Sequence, residues 1–345
     1  MNGIMEREIK EIKDLLKSPR KISILIHRNP DGDAIGSGLA LKKILEKNNH
    51  EVEMISPNTV PDYLRWLPGA DKIRVFDNNK NRTRKILNDS DLIFTLDFND
   101  LSRAGNDFGK ELEKMKDKKF IMIDHHLYPK DYADVQISDS TKSSTAEMVY
   151  DVIKALDEEE KIDKDIATNL YTGIMTDTGS FKFPATTSHT MKVAGELMDK
   201  GAEHNKIQTR IYDSFSKDKL DLLGQALKNL VFLPQYKTAY ITLNQDELKK
   251  FNYKKGDTEG FVNYGLSLSD ADFAVMFLEN EDGGVRISFR SKGDFPANEF
   301  ASEYFNGGGH KNAAGGRSEE TIDEAVKLFL EKLPGFYKNY KKKNE

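Results

Sequence analysis

His27-Arg-Asn-Pro-Asp31-Gly-Asp33-Ala-Ile-Gly36-Ser-Gly38 follows the short apolar run Ile22-Ser-Ile-Leu-Ile26 and precedes Leu39-Ala-Leu-Lys-Lys-Ile-Leu45. A β-branched run, then polar residues with Pro and Gly, then apolar positions at helical spacing read as strand, loop and helix. In open α/β sheets ligands sit beyond the carboxyl ends of the strands, and this one carries an imidazole and two carboxylates. Pro30 and Gly32 are expected to keep the segment out of a helix, so that His27, Asp31 and Asp33 splay toward a common centre. Gly36 and Gly38 are expected to let backbone amides at the helix start approach an anion. An ordinary βα turn capped by Asp33 would explain the loop taken alone. The rest of the chain weighs against that reading.

A chain of 345 residues is too long for one average core, so two domains are the natural expectation. Hydrophobic content of 38% with 32% charged residues is that of a globular protein. No run approaches the roughly 20 apolar residues of a membrane span, and the first residues lack the basic-then-apolar order of a signal peptide. A cytoplasmic protein with no membrane partner is expected. The absence of cysteine removes disulfides, thiolate zinc sites and a cysteine nucleophile. Any metal would be held by oxygen and nitrogen, which favours Mn, with Mg as the other hard ion. A net charge of -5 argues against coating long nucleic acid but leaves room for a short nucleotide. Lys341-Lys-Lys343 reads as a frayed, solvated tail.

The expected fold class is α/β: an N-terminal domain with a mainly parallel sheet flanked by helices (residues 1–186), a helical connector (187–233) and a smaller C-terminal α/β domain (234–345). A leading amphipathic helix spans residues 4–17. Val52–Ile55 and Ile73–Phe76 are weak strands. Asp91–Asp97 and Lys119–Asp124 are strong ones, each a continuous apolar run of the kind buried on both faces of a parallel sheet. Helical patterns cover Ser144–Leu156 and Asp165–Met175, and a helix-turn-helix pattern fills the connector. The leading helix and the connector offer a surface for a homodimer. Beyond them, Lys237–Leu243, Asp272–Leu278 and Val285–Arg290 read as strands, the last two joined by a hairpin at Glu279–Gly284. Ala297–Tyr304 and Ile322–Leu333 read as helices.

Four places in the first half set a carboxylate or imidazole just past an apolar element: His27/Asp31/Asp33, Asp97, Asp124/His125/His126 and Asp177. If the first three elements are adjacent parallel strands, their ends form one crevice. Asp31, Asp33, Asp97 and Asp177 carry enough negative charge to balance two divalent cations, and His27 and His125 add neutral nitrogen ligands. Asp97, central in the set, is expected to bridge the pair. Two such ions lower the pKa of a shared water toward neutrality and neutralise charge on a phosphoryl group under attack, so no side-chain nucleophile is required. His126 is left to donate to a phosphate oxygen or the leaving group, and Asp124 to orient a histidine. Near the C-terminus, Gly307-Gly308-Gly309 is expected to form an anion nest, with His310 and Lys311 as donors. Ser288, Arg290 and Ser291 are expected to grip a terminal phosphate.

Taken together, HRNPDGDAIGS, LDFND, IDHH, TDTGSF and GGGHKNAAGG resemble, in order and spacing, the motifs of the DHH phosphoesterase superfamily and its associated C-terminal domain. The resemblance implies one Mn ion on His27, Asp31 and Asp97 and another on Asp33, Asp97, His125 and Asp177, with His126 facing the substrate phosphate. It also implies that the C-terminal domain, through residues such as Ser288, Arg290, Gly308, Gly309, His310 and Lys311, holds the far end of the substrate. Within the superfamily, the two-domain plan resembles NrnA-type nanoRNases, which cut RNA of a few nucleotides to 5'-mononucleotides and dephosphorylate 3'-phosphoadenosine 5'-phosphate. Phosphodiesterases of cyclic or linear dinucleotides, pyrophosphatases or exopolyphosphatases, and an inactive nucleotide sensor are the alternatives.

Overall fold

The computed structural model describes residues 3–213, 215–281 and 283–344 and divides near residue 215 into two compact units. The first unit runs α1 (Gly3–Leu15), β1 (Lys21–Ile26), α2 (Gly32–Lys47), β2 (Glu51–Ser56), β3 (Arg74–Val75), α3 (Lys80–Asp89), β4 (Leu92–Leu96), α4 (Asn106–Leu112), β5 (Lys119–Asp124), β6 (Val135–Ser138), α5 (Thr145–Ala155), α6 (Lys164–Asp177), α7 (Ser188–Asp199) and α8 (His204–Tyr212). Its six strands form one parallel sheet in the order β3-β2-β1-β4-β5-β6.

The continuous apolar runs are explained by two cores, one on each face of this sheet. Ile22, Ile24 and Ile26 of β1, with Leu92, Phe94 and Leu96 of β4, join the core formed with α2, α5 and α6. Leu25 and Ile93, one residue out of phase, join the core on the opposite face with Leu87 and Phe108. Alternate side chains of a strand point to opposite faces, so a strand covered twice is apolar at nearly every position; the buried hydroxyls of Ser23 and Thr95 are hydrogen-bonded to Ser90 and Tyr132.

The register matters more than the strands themselves. Ile26 pairs with Leu96, and Leu96 with Ile123. The next residues along the three adjacent strands, His27, Asp97 and Asp124, therefore emerge level with one another at the carboxyl edge. Asp97 takes φ of 64°, a left-handed backbone that a non-glycine residue adopts at a cost. Its amide still donates to Ile123 O at 3.1 Å, and the Tyr132 hydroxyl donates to the next carbonyl, Phe98 O, at 3.1 Å.

The second unit runs α9 (Lys217–Lys228), β7 (Val231–Leu233), β8 (Thr238–Leu243), α10 (Gln245–Lys250), α11 (Asn263–Leu266), β9 (Phe273–Glu279), β10 (Val285–Ser291), α12 (Ala297–Tyr304), β11 (Gly308–His310), β12 (Ala313–Ser318) and α13 (Ile322–Asn344). Its sheet has the order β11-β12-β10-β9-β8-β7, antiparallel except at β8 and β9. One face carries a cluster rich in phenylalanine, including Phe273, Phe277, Phe289, Phe300 and Phe329. The other is covered by Leu222, Leu223 and Ala226 of α9 with Phe261 and Val262.

Several expectations need correction. Residues 187–233 are not a separate connector: Val193, Leu197, Ile207 and Ile211 of α7 and α8 belong to the first unit's core, and the apolar residues of α9 to the second's. Strand β6 escaped notice because its four residues offer too little periodicity. The expected tail at Lys341 continues α13, which passes through Pro334 because Phe336, Tyr337 and Tyr340 pack on the phenylalanine cluster. Gly307–Gly309 form no nest, since Gly308–His310 are β11 and pair with Ala313–Gly315. The expected hairpin does join β9 to β10, although its Asp282 lies outside the described residues.

Candidate metal centre

The first loop folds differently from the expected splayed segment. Helix α2 begins at Gly32, and Asp31 rather than Asp33 caps it, accepting from Asp33 N at 3.0 Å and Ala34 N at 3.1 Å. Asp33 is therefore fixed in the first helical turn. Gly36 and Gly38 lie inside the helix and serve packing, not anion binding: a Cβ on Gly36 would come within 2.3 Å of Asn169 O on α6. A Cβ on Gly173 of α6 would come within 3.1 Å of Asp33 Oδ1. This close approach sets Asp33 beside the end of α6, where Asp177 is the last helical residue. A carboxylate at a helix C-terminus opposes the macrodipole. A local rule broken in this way marks a residue kept for something other than stability.

All six residues expected to hold metal come together. His27 Nε2 is 3.2 Å from Asp97 Oδ2 and 3.8 Å from Asp31 Oδ2. His125 Nε2 is 3.4 Å from Asp177 Oδ2, 3.6 Å from Asp97 Oδ1 and 3.8 Å from Asp33 Oδ2. Two donor sets, His27/Asp31/Asp97 and Asp33/His125/Asp177, thus lie on either side of Asp97, each compact enough for one ion. His27, Asp33, Asp97, Asp124 and His125 are buried; Asp31 is exposed and gives the set an open side.

Hydrogen bonds around the set fix which atoms face inward. His27 Nδ1 lies 3.0 Å from Arg28 O and His125 Nδ1 3.3 Å from Lys142 O. A carbonyl only accepts, so each Nδ1 donates and each Nε2 is the atom left facing the carboxylates. Asp33 accepts from Thr145 N and Ala146 N at the start of α5, both at 2.7 Å. The Thr145 hydroxyl donates to Asp97 Oδ1 at 3.0 Å. Sequence reasoning missed Thr145, whose only signal is its place at a helix start, next to the Ser144 cap.

Does this set suit a cation? The buried Nε2 of His27 has no hydrogen-bond partner, although Asp97 Oδ2 is close. Only positive charge, a proton on Nε2 or a metal ion between the two atoms, makes that approach favourable. The electrostatics agree. Burial, and then the charges of Asp97, Asp177 and Asp31, push the Asp33 carboxyl well above its ordinary value. Burial disfavours an imidazolium at His27, yet Asp31 and Asp97 outweigh it and lift that group to about 10. Such a cluster calls for positive charge, which a proton on His27 supplies in part and two divalent ions would supply in full.

Metal-stripped protein should therefore be stabilised by added Mn2+. At 100 times its dissociation constant, each site contributes about 2.7 kcal/mol, or roughly 5–11 °C in melting midpoint for a domain of this size. A chelator should reverse the shift. A midpoint that Mn2+ leaves unmoved would count against the centre.

Residues 21–174 match the N-terminal domain of the DHH family, and residues 234–339 match the DHHA1 domain. A bifunctional oligoribonuclease and PAP phosphatase NrnA from Thermus thermophilus is 30% identical over 326 residues, 94% of this chain and 92% of the relative. The chain belongs to the DHH family. A Bacillus subtilis protein of the same description is 29% identical over 312 residues, 90% of this chain and 93% of the relative. A crystal structure of an exopolyphosphatase-related protein from Bacteroides fragilis superposes with a TM-score of 0.93 at 38% identity, covering 99% of both chains.

The DHH-family run Asp124-His125-His126 divides its tasks. Asp124 accepts from the His126 amide at 2.9 Å and lies 2.8 Å from His126 Nδ1, so it aims His126, while His125 turns to the carboxylates. The six side chains that converge here, and His126, were all legible in the sequence.

Within the second unit, Ser288 and Arg290 share one face of β10 and border a cavity of about 160 Å³ with Thr258, Arg286, Gly315 and Gly316. Ser288, Gly315 and Gly308 stand in one cross-strand row, and Arg290, Ala313 and His310 in the next. Ser288, Arg290, Gly308 and His310 are thus placed on one sheet face. Gly309 is level with Ala314 between the two rows. Ser291 is buried and donates to Phe295 O at 2.6 Å, so it is not free to hold a phosphate. Lys311 is paired with Asp294 at 2.6 Å. Arg286 and Thr258 were missed, since an arginine in a strand and a loop threonine carry no distinctive spacing.

Proposed function

We propose that this DHH-family protein is a metal-dependent phosphoesterase that cuts RNA of a few nucleotides to 5'-mononucleotides and removes the 3'-phosphate of 3'-phosphoadenosine 5'-phosphate. The observation that carries this reading is the level emergence of His27, Asp97 and Asp124 from three adjacent strands, with Asp33 and Asp177 brought alongside. The Thermus and Bacillus relatives, aligned over most of their lengths, are described with these two activities.

Two divalent ions, with Mn as the first choice, would be held by His27, Asp31 and Asp97 and by Asp33, Asp97, His125 and Asp177. When bound, they supply Lewis acidity toward phosphoryl oxygens and a water of lowered pKa. The chain's own residues do the rest. Arg28 O and Lys142 O keep the two imidazoles in the metal-binding tautomer, and the start of α5 holds Asp33 in one orientation. Asp97, locked by its strained backbone and by Thr145, faces both donor sets. His126, oriented by Asp124, serves as the donor toward a phosphoryl or leaving oxygen. In the second unit, the Arg290 guanidinium and the Ser288 hydroxyl suit a phosphate. Among the described residues no helix is long and apolar enough to cross a membrane, and a cytoplasmic setting fits these substrates.

The test is a substrate panel with Mn2+ and with Mg2+: an RNA dinucleotide, bisphosphorylated adenosine, a cyclic dinucleotide, pyrophosphate and polyphosphate. Turnover of the first two above the others is expected. The Bacteroides fragilis protein is described as exopolyphosphatase-related, which is why polyphosphate belongs in the panel. Hydrolysis confined to polyphosphate or pyrophosphate would overturn the proposal.

A further inference from the structure

Ser144-x-x-Glu147 has the spacing of a capping box, in which the glutamate would reach back to the amide of the capping serine. Half of that box forms: Ser144 Oγ accepts from Glu147 N at 3.0 Å. The Glu147 carboxylate does not complete it. Fully buried at 1% exposure, it turns instead to three partners outside its helix. The Ser143 and Thr190 hydroxyls donate to its Oε2 at 2.5 and 2.7 Å, and Lys142 Nζ lies 3.4 Å from its Oε1. Lys142 also pairs with Asp151 at 2.6 Å, and His189 stands 2.9 Å from the same aspartate.

A buried carboxylate is costly unless its charge is compensated, and Lys142 supplies the compensation. That ammonium also decides between two uses of the Glu147/Asp151/His189 group. It already holds both carboxylates, so the group is an ion-pair network and not a cation site. What the network holds in place is Lys142, and the carbonyl of Lys142 is the acceptor for His125 Nδ1. Through Thr190 it also ties down the start of α7, the element that follows the Asp177 segment in the chain. The loop whose Lys142 carbonyl meets His125 Nδ1 and the start of α7 are thereby anchored to one buried charge.

We propose that Glu147, acting through Lys142, is a positioning residue for His125, fixing the proton on Nδ1 and aiming Nε2 at Asp33, Asp97 and Asp177. The inference rests on the reading of that group as a metal centre. Residues that hold a ligating histidine typically change metal affinity by about 10–100-fold when altered. The loss should fall on one of the two ions, because His27, Asp31 and Asp97 do not depend on Lys142.

The experiment is a calorimetric Mn2+ titration of the metal-stripped full chain in four forms, with melting midpoints measured alongside. Glu147→Gln keeps the shape and an acceptor for Ser143 and Thr190 but loses one of the two carboxylate charges that hold Lys142, leaving Asp151. Lys142→Met removes the ammonium and keeps the stem. Glu196→Gln is the control: Glu196 links α7 to α5 by accepting from the Tyr150 hydroxyl, away from His125. Wild type should bind two ions. Glu147→Gln and Lys142→Met should each weaken one site about 10–100-fold and leave the other within about twofold. Glu196→Gln should lower the midpoint and leave both affinities unchanged. Unaltered Mn2+ binding in both Glu147→Gln and Lys142→Met would overturn the inference. So would parallel weakening of both sites, or equal weakening by Glu196→Gln. Failure of wild type to bind two ions would instead overturn the metal centre itself. Should Glu147→Gln not fold, Lys142→Met carries the test alone.

Discussion

Asp97→Asn is expected to cut hydrolysis of an RNA dinucleotide by at least about 10³-fold, equivalent to about 4 kcal/mol of transition-state stabilisation. Among the described residues, Asp97 alone has a carboxylate oxygen facing each donor set, at 3.2 Å from His27 Nε2 and 3.6 Å from His125 Nε2. Losing its charge should therefore weaken both Mn2+ sites, unlike a change at Glu147. Asparagine is the informative substitution because it tolerates the left-handed backbone at φ 64°. Alanine would add strain to the loss of charge. Metal-free stability should fall: burial disfavours the Asp97 charge, but His27, His126 and His125 outweigh it and hold the carboxyl far below its ordinary value, so that charge favours the folded state, and relief of Asp33 offsets only part of the loss. Activity within about tenfold of wild type would show that no shared carboxylate is needed.

Gly36→Leu is expected to be the most damaging change outside the two donor sets. Any Cβ there meets Asn169 O at 2.3 Å and Gly173 N at 3.1 Å, backbone atoms of α6 that cannot swing aside. Forcing the helices apart should cost about 3 kcal/mol, or roughly 6–12 °C in melting midpoint. Since α2 carries Asp33 and α6 ends at Asp177, the same displacement should loosen one donor set. A misplacement of about 1 Å lowers rate on the order of 10²-fold. Gly195→Leu on α7, where a Cβ meets nothing within 4 Å, is the control and should leave both properties near wild type. A folded, fully active Gly36→Leu protein would contradict the packing argument.

That glycine also shows where sequence reading reaches its limit. His27, Asp97 and Asp124–His126 were legible because a strand buried on both faces is almost wholly apolar, so a charged or imidazole side chain just past the run marks its end. Asp177 was legible by motif, although its place at the wrong end of a helix dipole became clear only with the helix boundary. Gly36 and Gly38 were read as an anion-facing loop because glycine after a strand suits either a turn or a close helix crossing. Only the position of α6 separates the two. The register that levels Ile26, Leu96 and Ile123, the backbone strain at Asp97 and the turn of Glu147 away from its own helix cap are tertiary facts with no local signature. Strand β11 is the clearest case: Gly308-Gly309-His310 has poor strand propensity, and pairing with β12 overrides it.

The central claim is that His27, Asp31, Asp33, Asp97, His125 and Asp177 hold two divalent ions between them. Anomalous diffraction at the manganese edge, from crystals of the full chain grown with Mn2+, tests it most directly. The account predicts two peaks about 4 Å apart, one against His27 and Asp31, the other against Asp33, His125 and Asp177, with Asp97 touching both. Manganese found only elsewhere, or no peak within bonding distance of Asp97, would contradict it.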